Sequence, residues 1–300
     1  MAPRHSEAET GIIGGSGLYD FSALEEPSEY RLSTPFGEPS DRIVVGGLRG
    51  RRVAFLSRHG RRHQHPPSAV PAAANIYAMK YLGVTEILSV SAVGSLRDEL
   101  RPGELVVPDQ LVDLTRGGRT SSFFSSGLVA HLPFADPYCP RLRRLVLDAV
   151  RTVPGTVSHD GGTYVCIEGP QFSTRAESGL YRSWGMDVIG MTAAPEAKLA
   201  REAGICLATI ALVTDYDCWR QGEESVTADL VAEVMRRNVA AAKQAITSYV
   251  DTSPPARHCD CHDALAQAIL SDPSAVPDAD RRRVDLLAGR YLDEHQPARD

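Results

Sequence analysis

Eight short apolar runs, most of them bounded by Gly, Pro or Asp, constrain this chain more than any other feature. They lie at 11–15, 43–48, 53–57, 86–94, 104–114, 163–169, 187–191 and 205–214, and their β-branched residues predict strands. Helical spacing fills the gaps. Val70, Ala74, Tyr77 and Tyr81 share one face, Pro71 suits a first turn, and Gly83 ends the run. Thr192 is placed to cap a helix from Pro195 to Ala203 that Gly204 closes, and an amphipathic run extends from Thr227 to about Tyr249. Such alternation predicts an α/β fold, a single domain with a central mixed β-sheet flanked by helices.

The chain has 300 residues, 43% hydrophobic and 23% charged, enough for a sizeable core. No apolar run reaches the ~18 residues of a membrane span. A formal net charge of −6 without a basic block argues against a nucleic-acid partner. Six cysteines are too few for a disulfide scaffold, and "MAPRHSEAET" lacks the apolar stretch of a secretory signal. The expected location is the cytoplasm. The expected organisation is a disordered N-terminus (1–9), one domain (10–250), and a C-terminal linker with short helices packing on the domain (251–300). The segment "TRGGRTSSFFSSG" (115–127) reads as a long loop with a functional or interfacial role.

Open α/β sheets bind ligands outside the carboxyl ends of their strands. The first run ends in "GGSG" (14–17), where glycines allow close backbone approach and Ser16 adds a hydroxyl. No G-x-G-x-x-G follows, so a dinucleotide fingerprint fits poorly. The run 53–57 leads into Arg58, whose planar fork suits an oxyanion, and His59, which can donate or accept. The following "GRRHQH" reads as a solvated basic loop. "SVSAVGSL" presents Ser91 and Ala92 with exposed backbone, and Thr192 stands at a helix start, where anions are favoured. Four strand ends converging on anion chemistry predict a phosphate site.

In "EGPQFSTRAE", Phe172 with Ser173 is expected to open a helix. Core packing and helix capping would account for them; an aromatic wall for a flat ligand, with Met191 as the opposite apolar face, is the functional alternative. The run 205–214 ends in "TDYDCW", and carboxylates at the mouth of a buried strand are costly without a partner. Asp215 and Asp217 form either a solvated capped turn or a pair facing the hydrogen-bonding edge of a bound base. Phosphate donors, an aromatic wall and base-reading acids together suggest phosphorolysis of a nucleoside. In "HCDCH", Cys259 and Cys261 could bind a metal with the flanking histidines or form a strained local disulfide. Four ligands so close in sequence cannot easily surround one tetrahedral ion, and the stretch is read as a non-catalytic helix start. Cys139, Cys166, Cys206 and Cys218 read as packing residues.

The motifs "GIIGGSGL", "TPFGEPSD", "RHGR", "SAVGSLRDE", "IEGPQFSTRAES", "WGMDVIGMT" and "TDYDCW", in that order from about Gly11 to Tyr249, resemble the methylthioadenosine phosphorylase family of the trimeric purine nucleoside phosphorylase superfamily. The resemblance implies a purine nucleoside phosphorylase-like fold and the release of adenine from S-methyl-5'-thioadenosine. It implies that Ser16, Arg58, His59, Ser91, Ala92 and Thr192 hold phosphate, that Phe172 and Met191 flank the nucleoside, and that Asp215 and Asp217 meet the purine. Relatives preferring 6-oxopurines typically carry asparagine at the position of Asp215 and glutamate at that of Ser173, so both positions here are of the adenine type. Asp215 is then the catalytic residue, stabilising N7 of the departing base. By the same resemblance the protein is a homotrimer, His131 closes the 5′ pocket of a neighbouring subunit, and Ala228, Val231 and Ala232 line the methylthio group. Two alanines there imply a roomier pocket, open to other 5′-deoxyadenosines. No metal or organic cofactor is expected, with inorganic phosphate as co-substrate and no membrane partner. The 6-oxopurine phosphorylases, a nucleoside sensor without turnover and a hydrolase using water are the alternatives.

Overall fold

The computed structural model describes residues 7–124, 127–220, 228–252 and 259–293, with side chains from 233 onward in the helix that begins at Ala228. Four strands open the chain: β1 (Thr10–Gly14), β2 (Glu25–Tyr30), β3 (Ile43–Leu48) and β4 (Arg51–Ser57). Helix α1 (Ala72–Tyr81) leads to β5 (Glu86–Ser95), β6 (Leu105–Val107) and β7 (Gln110–Leu114). Then come α2 (Pro140–Arg151), β8 (Ser158–Asp160), β9 (Thr163–Ile167), α3 (Arg175–Ser183), β10 (Val188–Gly190), α4 (Ala193–Glu202) and β11 (Cys206–Asp215). The chain closes with α5 (Ala228–Asp251), two 3-10 turns (Asp260–Asp263 and Pro273–Ala275) and α6 (Asp278–Asp293).

The strands form one mixed, eleven-stranded sheet in the order β2-β3-β4-β1-β5-β10-β9-β7, with β11, β6 and β8 extending from the other edge of β5. β4, β1, β5 and β11 are parallel neighbours, so their carboxyl ends share one rim. Register fixes what meets there: Gly14 lies beside Ser57, Ile13 beside Ser89, and Ala211 beside Ser91. A bulge after Val213 then brings Asp215 beside Gly94. Helices α2 and α5 bury one face of the sheet around Leu88, Leu105, Leu142, Ile210 and Ile246. On the opposite face α1 and α4 pack around Ile13, Ile76, Met79, Leu199 and Leu207. Both layers join residues distant in sequence, and apolar burial of this kind supplies most of the folding free energy.

Several expectations need correction. The run 104–114 is two strands, because Pro108 and Asp109 interrupt pairing; β6 joins β11 and β8, whereas β7 joins β9. Strand β2 is an exposed edge, and its sequence EEPSEY carries no apolar alternation. Strand β8 and helix α2 also lie outside the predicted elements; α2 has a clear apolar stripe, Leu142, Val146, Leu147 and Val150. The helix expected at Phe172 starts at Arg175, where Thr174 and Glu177 form a reciprocal capping box. Thr192 precedes α4 but its side chain makes no cap hydrogen bond. The expected N-terminal disorder does not reach residues 7–9, since the amides of Glu7 and Ala8 donate to the Leu82 carbonyl and Ala8 is buried. The C-terminal region holds a helix of 16 residues rather than only short ones, packed through Val284, Ala288 and Leu292 on Leu128 and Leu265.

One close contact tests the packing behind the rim. A Cβ on Gly190 would fall 1.8 Å from Tyr164 Oη, whose side chain is fully buried. Gly190→Ala is expected to lower stability by about 1–3 kcal/mol, since the core has no slack to move Tyr164. At Gly118 nothing lies within 4 Å of an added Cβ. There the same substitution should stay within about 0.5 kcal/mol. Thermal or urea unfolding of the two variants checks both expectations.

Candidate active site

At the rim a cleft of about 1330 Å³ opens. Strand register and the loops that follow the strands bring the predicted groups to it: Ser16, Arg58, His59, Ser91, Ala92 and Thr192 line one part, and Phe172, Ser173, Met191, Asp215 and Asp217 line another. Its size exceeds the ~300–1,000 Å³ usual for a small-molecule pocket, and Phe172, 84% exposed, stands at its open edge. Met235, Arg236 and Val239 of α5 complete the wall. The side chains of Ala228, Val231 and Ala232 lie outside the described residues.

The first of these groups begins with Gly15. A Cβ there would lie 2.5 Å from the Val90 carbonyl and 2.6 Å from Arg58 Nη1, so only glycine lets the loop approach β5 and Arg58 this closely. Arg58 is 1% exposed, yet most of its donors are already engaged. Nε and Nη2 grip the Glu196 carboxylate, Nη2 also donates to Ser89 Oγ (2.7 Å), and Nη1 donates to the Val90 carbonyl (2.8 Å). Of five N–H groups this leaves one, on Nη1, for an anion. The Ser89 hydroxyl donates in turn to Glu196 (2.8 Å). Glu196 sits in the first turn of α4, where a carboxylate is ordinary, and its sequence position gives no sign that it faces Arg58.

His59 is 5% exposed, with Nδ1 2.8 Å from the His65 carbonyl. A carbonyl oxygen only accepts, so Nδ1 carries the proton and Nε2 is an acceptor in the neutral ring. Burial, then the neighbouring Arg58 charge, lowers its pKa to about 4, which keeps the ring neutral near pH 7. It is therefore matched to an oxyanion that still carries a proton. The His63 ring stacks on His59 at 4.7 Å, and Tyr19 Oη meets His63 Nδ1 at 3.0 Å. Ser91 Oγ and Tyr164 Oη share a hydrogen bond of 3.1 Å. Because Thr192 does not cap α4, its hydroxyl is left for the cleft, beside the amide groups of that helix start.

At the other part, Asp215 accepts from Thr214 Oγ1 through one oxygen (2.7 Å) and from the Asp217 amide through the other (2.7 Å). Asp217 has a φ of +52°, the left-handed turn that aims its amide back at Asp215. Each carboxylate oxygen retains an acceptor site. Burial raises the pKa of Asp217, with the Asp215 charge adding to the rise; the nearby Ser178 and Ser173 hydroxyls temper it, although neither forms a hydrogen bond of good geometry. The segment is fixed by Trp219, whose Nε1 donates to the Ser95 carbonyl (2.8 Å) while Arg182 stacks 3.3 Å above its ring.

The loop after β7 inserts Arg119, whose side chain is 6% exposed. It pairs with Glu168 (3.0 Å) and donates to the carbonyls of Glu168 and Met191, tying together the ends of β9 and β10. Within the chain this part of the loop, expected to be functional or interfacial, ties the strand ends behind the cleft; "RGGR" alone does not reveal which arginine turns inward. His131 does not join this chain's cleft. It is exposed, and its amide donates to the Ala268 carbonyl of the C-terminal region (2.8 Å). Among the described residues, the one group of His, Cys, Asp or Glu close enough to hold a metal is Cys139, Cys206, Cys259 and Cys261, at the opposite end of β11 from Asp215. Cys139 and Cys206 are buried in the core, as packing residues should be, but neither that reading nor that of Cys259 and Cys261 as a non-catalytic helix start reveals this gathering, because the four meet only through the fold.

Residues 9–251 match the phosphorylase superfamily. An S-methyl-5'-thioadenosine phosphorylase of Geobacter sulfurreducens is 51% identical over 95% of this chain and 100% of its own length. The crystal structure of a methylthioadenosine phosphorylase from an antarctic soil metagenomic library superposes with a TM-score of 0.89 at 48% identity, covering 94% of this chain and 99% of that one. A methylthioadenosine phosphorylase of Schistosoma mansoni in complex with adenine gives 0.77 at 39% identity, covering 81% and 91%. Across nearly its whole length, in strand arrangement as in sequence, the chain belongs to the methylthioadenosine phosphorylase family of the phosphorylase superfamily.

Proposed function

We propose that the protein is a pentosyltransferase that splits S-methyl-5'-thioadenosine with phosphate into adenine and 5-methylthioribose 1-phosphate. The observation that carries this reading is a shared cleft: Ser16 after β1, Arg58 and His59 after β4, Ser91 within β5 and Thr192 after β10 line the same cleft as Asp215 at the end of β11. Ser91 and Gly94, the β11-facing positions of the two groups, are three residues apart, about 10 Å along a strand. That leaves room for a sugar between phosphate and base. The assignment of substrate draws support from the family's named members, and adenine occupies the Schistosoma relative.

In this reading the glycosidic bond loosens toward an oxocarbenium ion, and Asp215 shares a proton with N7 of the departing base. The Asp217 carboxylate accepts from the exocyclic amino group. Phosphate, held by Ser16, the free Arg58 N–H, His59 Nε2, Ser91, the Ala92 backbone and Thr192, offsets the ribose charge and attacks C1′ with inversion. Preorganised charge of this kind supplies most of the acceleration. The chain's own groups serve every step, so we propose no metal or organic cofactor for the reaction, with phosphate as co-substrate. Phe172 and Met191 flank the nucleoside, Ser173 stands by the base, and Met235 with Val239 gives the cleft apolar surface. Ala228, Val231 and Ala232 would extend this surface around the methylthio group. We place the activity in purine salvage in the cytoplasm, in keeping with six cysteines, too few for a disulfide scaffold.

We further propose a homotrimer in which His131 closes the neighbouring subunit's cleft. Its exposure away from its own cleft, and that of Phe172 at the open edge, support this arrangement. Sedimentation should give the mass of three chains; the mass of one chain would contradict it.

Base release from methylthioadenosine, adenosine and inosine, with and without phosphate, tests the reaction. Adenine should appear fastest from methylthioadenosine and only with phosphate. Release independent of phosphate would point to hydrolysis. In the same assay Asp215→Asn combined with Ser173→Glu should move preference toward inosine, and unchanged preference would refute the base-reading role.

His59 generates a pH prediction. Its folded-state pKa lies below the ordinary value, so it stays neutral on acidification until about pH 4. His59→Gln should lower kcat/KM for phosphate by about 10–100-fold, the worth of a hydrogen bond to a charged group. That ratio to wild type should hold from about pH 8 to about pH 5.5 and change only near the lowered pKa. A change centred on the pKa of an ordinary histidine would contradict a neutral acceptor. The stability sign is the same: stability due to this group is present above the unfolded value of 6.5 and is lost as pH falls toward about 4.

A further inference from the structure

At the amino end of β11, far from the cleft, four cysteines converge. Cys139 immediately precedes α2, Cys206 is the first residue of β11, and Cys259 and Cys261 flank Asp260 in the first C-terminal 3-10 turn. All four Sγ atoms lie within 4.8 Å of one another, and Cys206 and Cys259 are 3.4 Å apart. A zinc–thiolate bond of ~2.3 Å sets the edge of a tetrahedral sulfur cage at about 3.8 Å. The observed separations bracket that edge, and the longest must close by about 1 Å to meet it. Cys139, Cys206 and Cys261 are at most 4% exposed and Cys259 is partly buried, so most of the centre is shielded from water, as in structural rather than catalytic sites.

The charge around the sulfurs points the same way. Arg141 Nη2 lies 3.9 Å from Cys206 Sγ, and Arg201 Nη1 lies 3.8 Å from Cys261 Sγ. Arg141 also pairs with Glu86 (2.9 Å), but its Nε and Nη1 are buried without a hydrogen-bond partner among the described residues. Cys139 stands at the start of a twelve-residue helix, where a thiolate is stabilised. A packing cluster needs no cations; a tetrathiolate centre of net charge −2 does.

We propose that Cys139, Cys206, Cys259 and Cys261 form a tetrathiolate site for one soft divalent cation of the zinc class, which fastens the C-terminal region to the sheet. Four thiols give up four protons as the cation enters, and no oxidant or reductant is involved. The cation closes the C-x-C pair of the C-terminal turn onto residues 139 and 206, which are already held together by the Cys139 amide donating to the Leu207 carbonyl (2.9 Å). Its role is structural: Asp215 lies nine residues along β11, about 30 Å away.

The test uses the full chain, reduced and stripped of metal under anaerobic conditions, then loaded with zinc or cobalt. After gel filtration the wild type should retain one zinc per chain, and cobalt should give the intense visible bands of tetrahedral thiolate coordination. Cys259→Ser with Cys261→Ser should abolish both signals, and Cys166→Ser, at a buried cysteine outside the cluster, should keep them. Stripping the wild type should lower its Tm by several degrees, and the double variant should show no such response. Wild type that retains no metal when reduced, whether its sulfurs pair as disulfides when oxidised or merely pack, overturns the proposal. So does metal retained equally by the double variant. Should the double variant fail to fold, the wild-type zinc content and cobalt spectrum still decide the matter, and neither depends on phosphorolysis.

Discussion

The grip of Arg58 on Glu196 sets the geometry on which the cleft depends. Both side chains are almost wholly buried, 1% and 2% exposed, and together they join the end of β4 to the first turn of α4. Ser89 bonds to both, and Val90 accepts from the guanidinium, so β5 is held in the same knot. A buried pair of this kind gains little net stability, because desolvation offsets attraction. Removing one partner is another matter: an uncompensated interior charge costs about 3–5 kcal/mol. The pair thus fixes position more than it adds stability, and it leaves a single Arg58 N–H uncommitted beside the cleft.

Around that knot the sheet imposes a distance. The long β5–β11 pairing puts Ser91 and Asp215 on adjacent strands, with a bulge shifting Asp215 to the level of Gly94. The left-handed turn at Asp217 then returns an amide to the Asp215 carboxylate, and Trp219 anchors the segment to Ser95. Asp215 at the strand mouth is therefore supported from behind by a backbone and a hydroxyl donor, and both acids line the cleft. At the far end of the same strand, Cys206 belongs to the sulfur cluster that meets the C-terminal region. One strand spans a chemical end and an anchoring end.

Much of this was legible in the sequence because parallel strands carry continuous apolar runs and end in residues that cannot be explained as core. Ser16, Arg58, Thr192 and Asp215 each stand at or just past such an end, Ser91 lies within β5 instead, and the fold brings all five to one cleft. What stayed hidden depends on tertiary meetings. Glu196 looks like an ordinary first-turn acid, Arg119 like one basic loop residue among several, and Cys139 and Cys206 like small core residues. None carries a local signal of its partner. The neutral state of His59 also comes from burial and the His65 carbonyl, which no spacing reveals. Edge strand β2 was illegible for a different reason: EEPSEY has neither alternation nor β-branched residues to mark it.

The central claim is that phosphate, not water, takes the ribose from the base in this cleft. Phosphorus NMR of the enzyme with methylthioadenosine and inorganic phosphate tests it most directly. The account predicts loss of the phosphate signal and growth of a sugar 1-phosphate signal, in step with adenine release. Adenine released while the phosphate signal stays unchanged would contradict it.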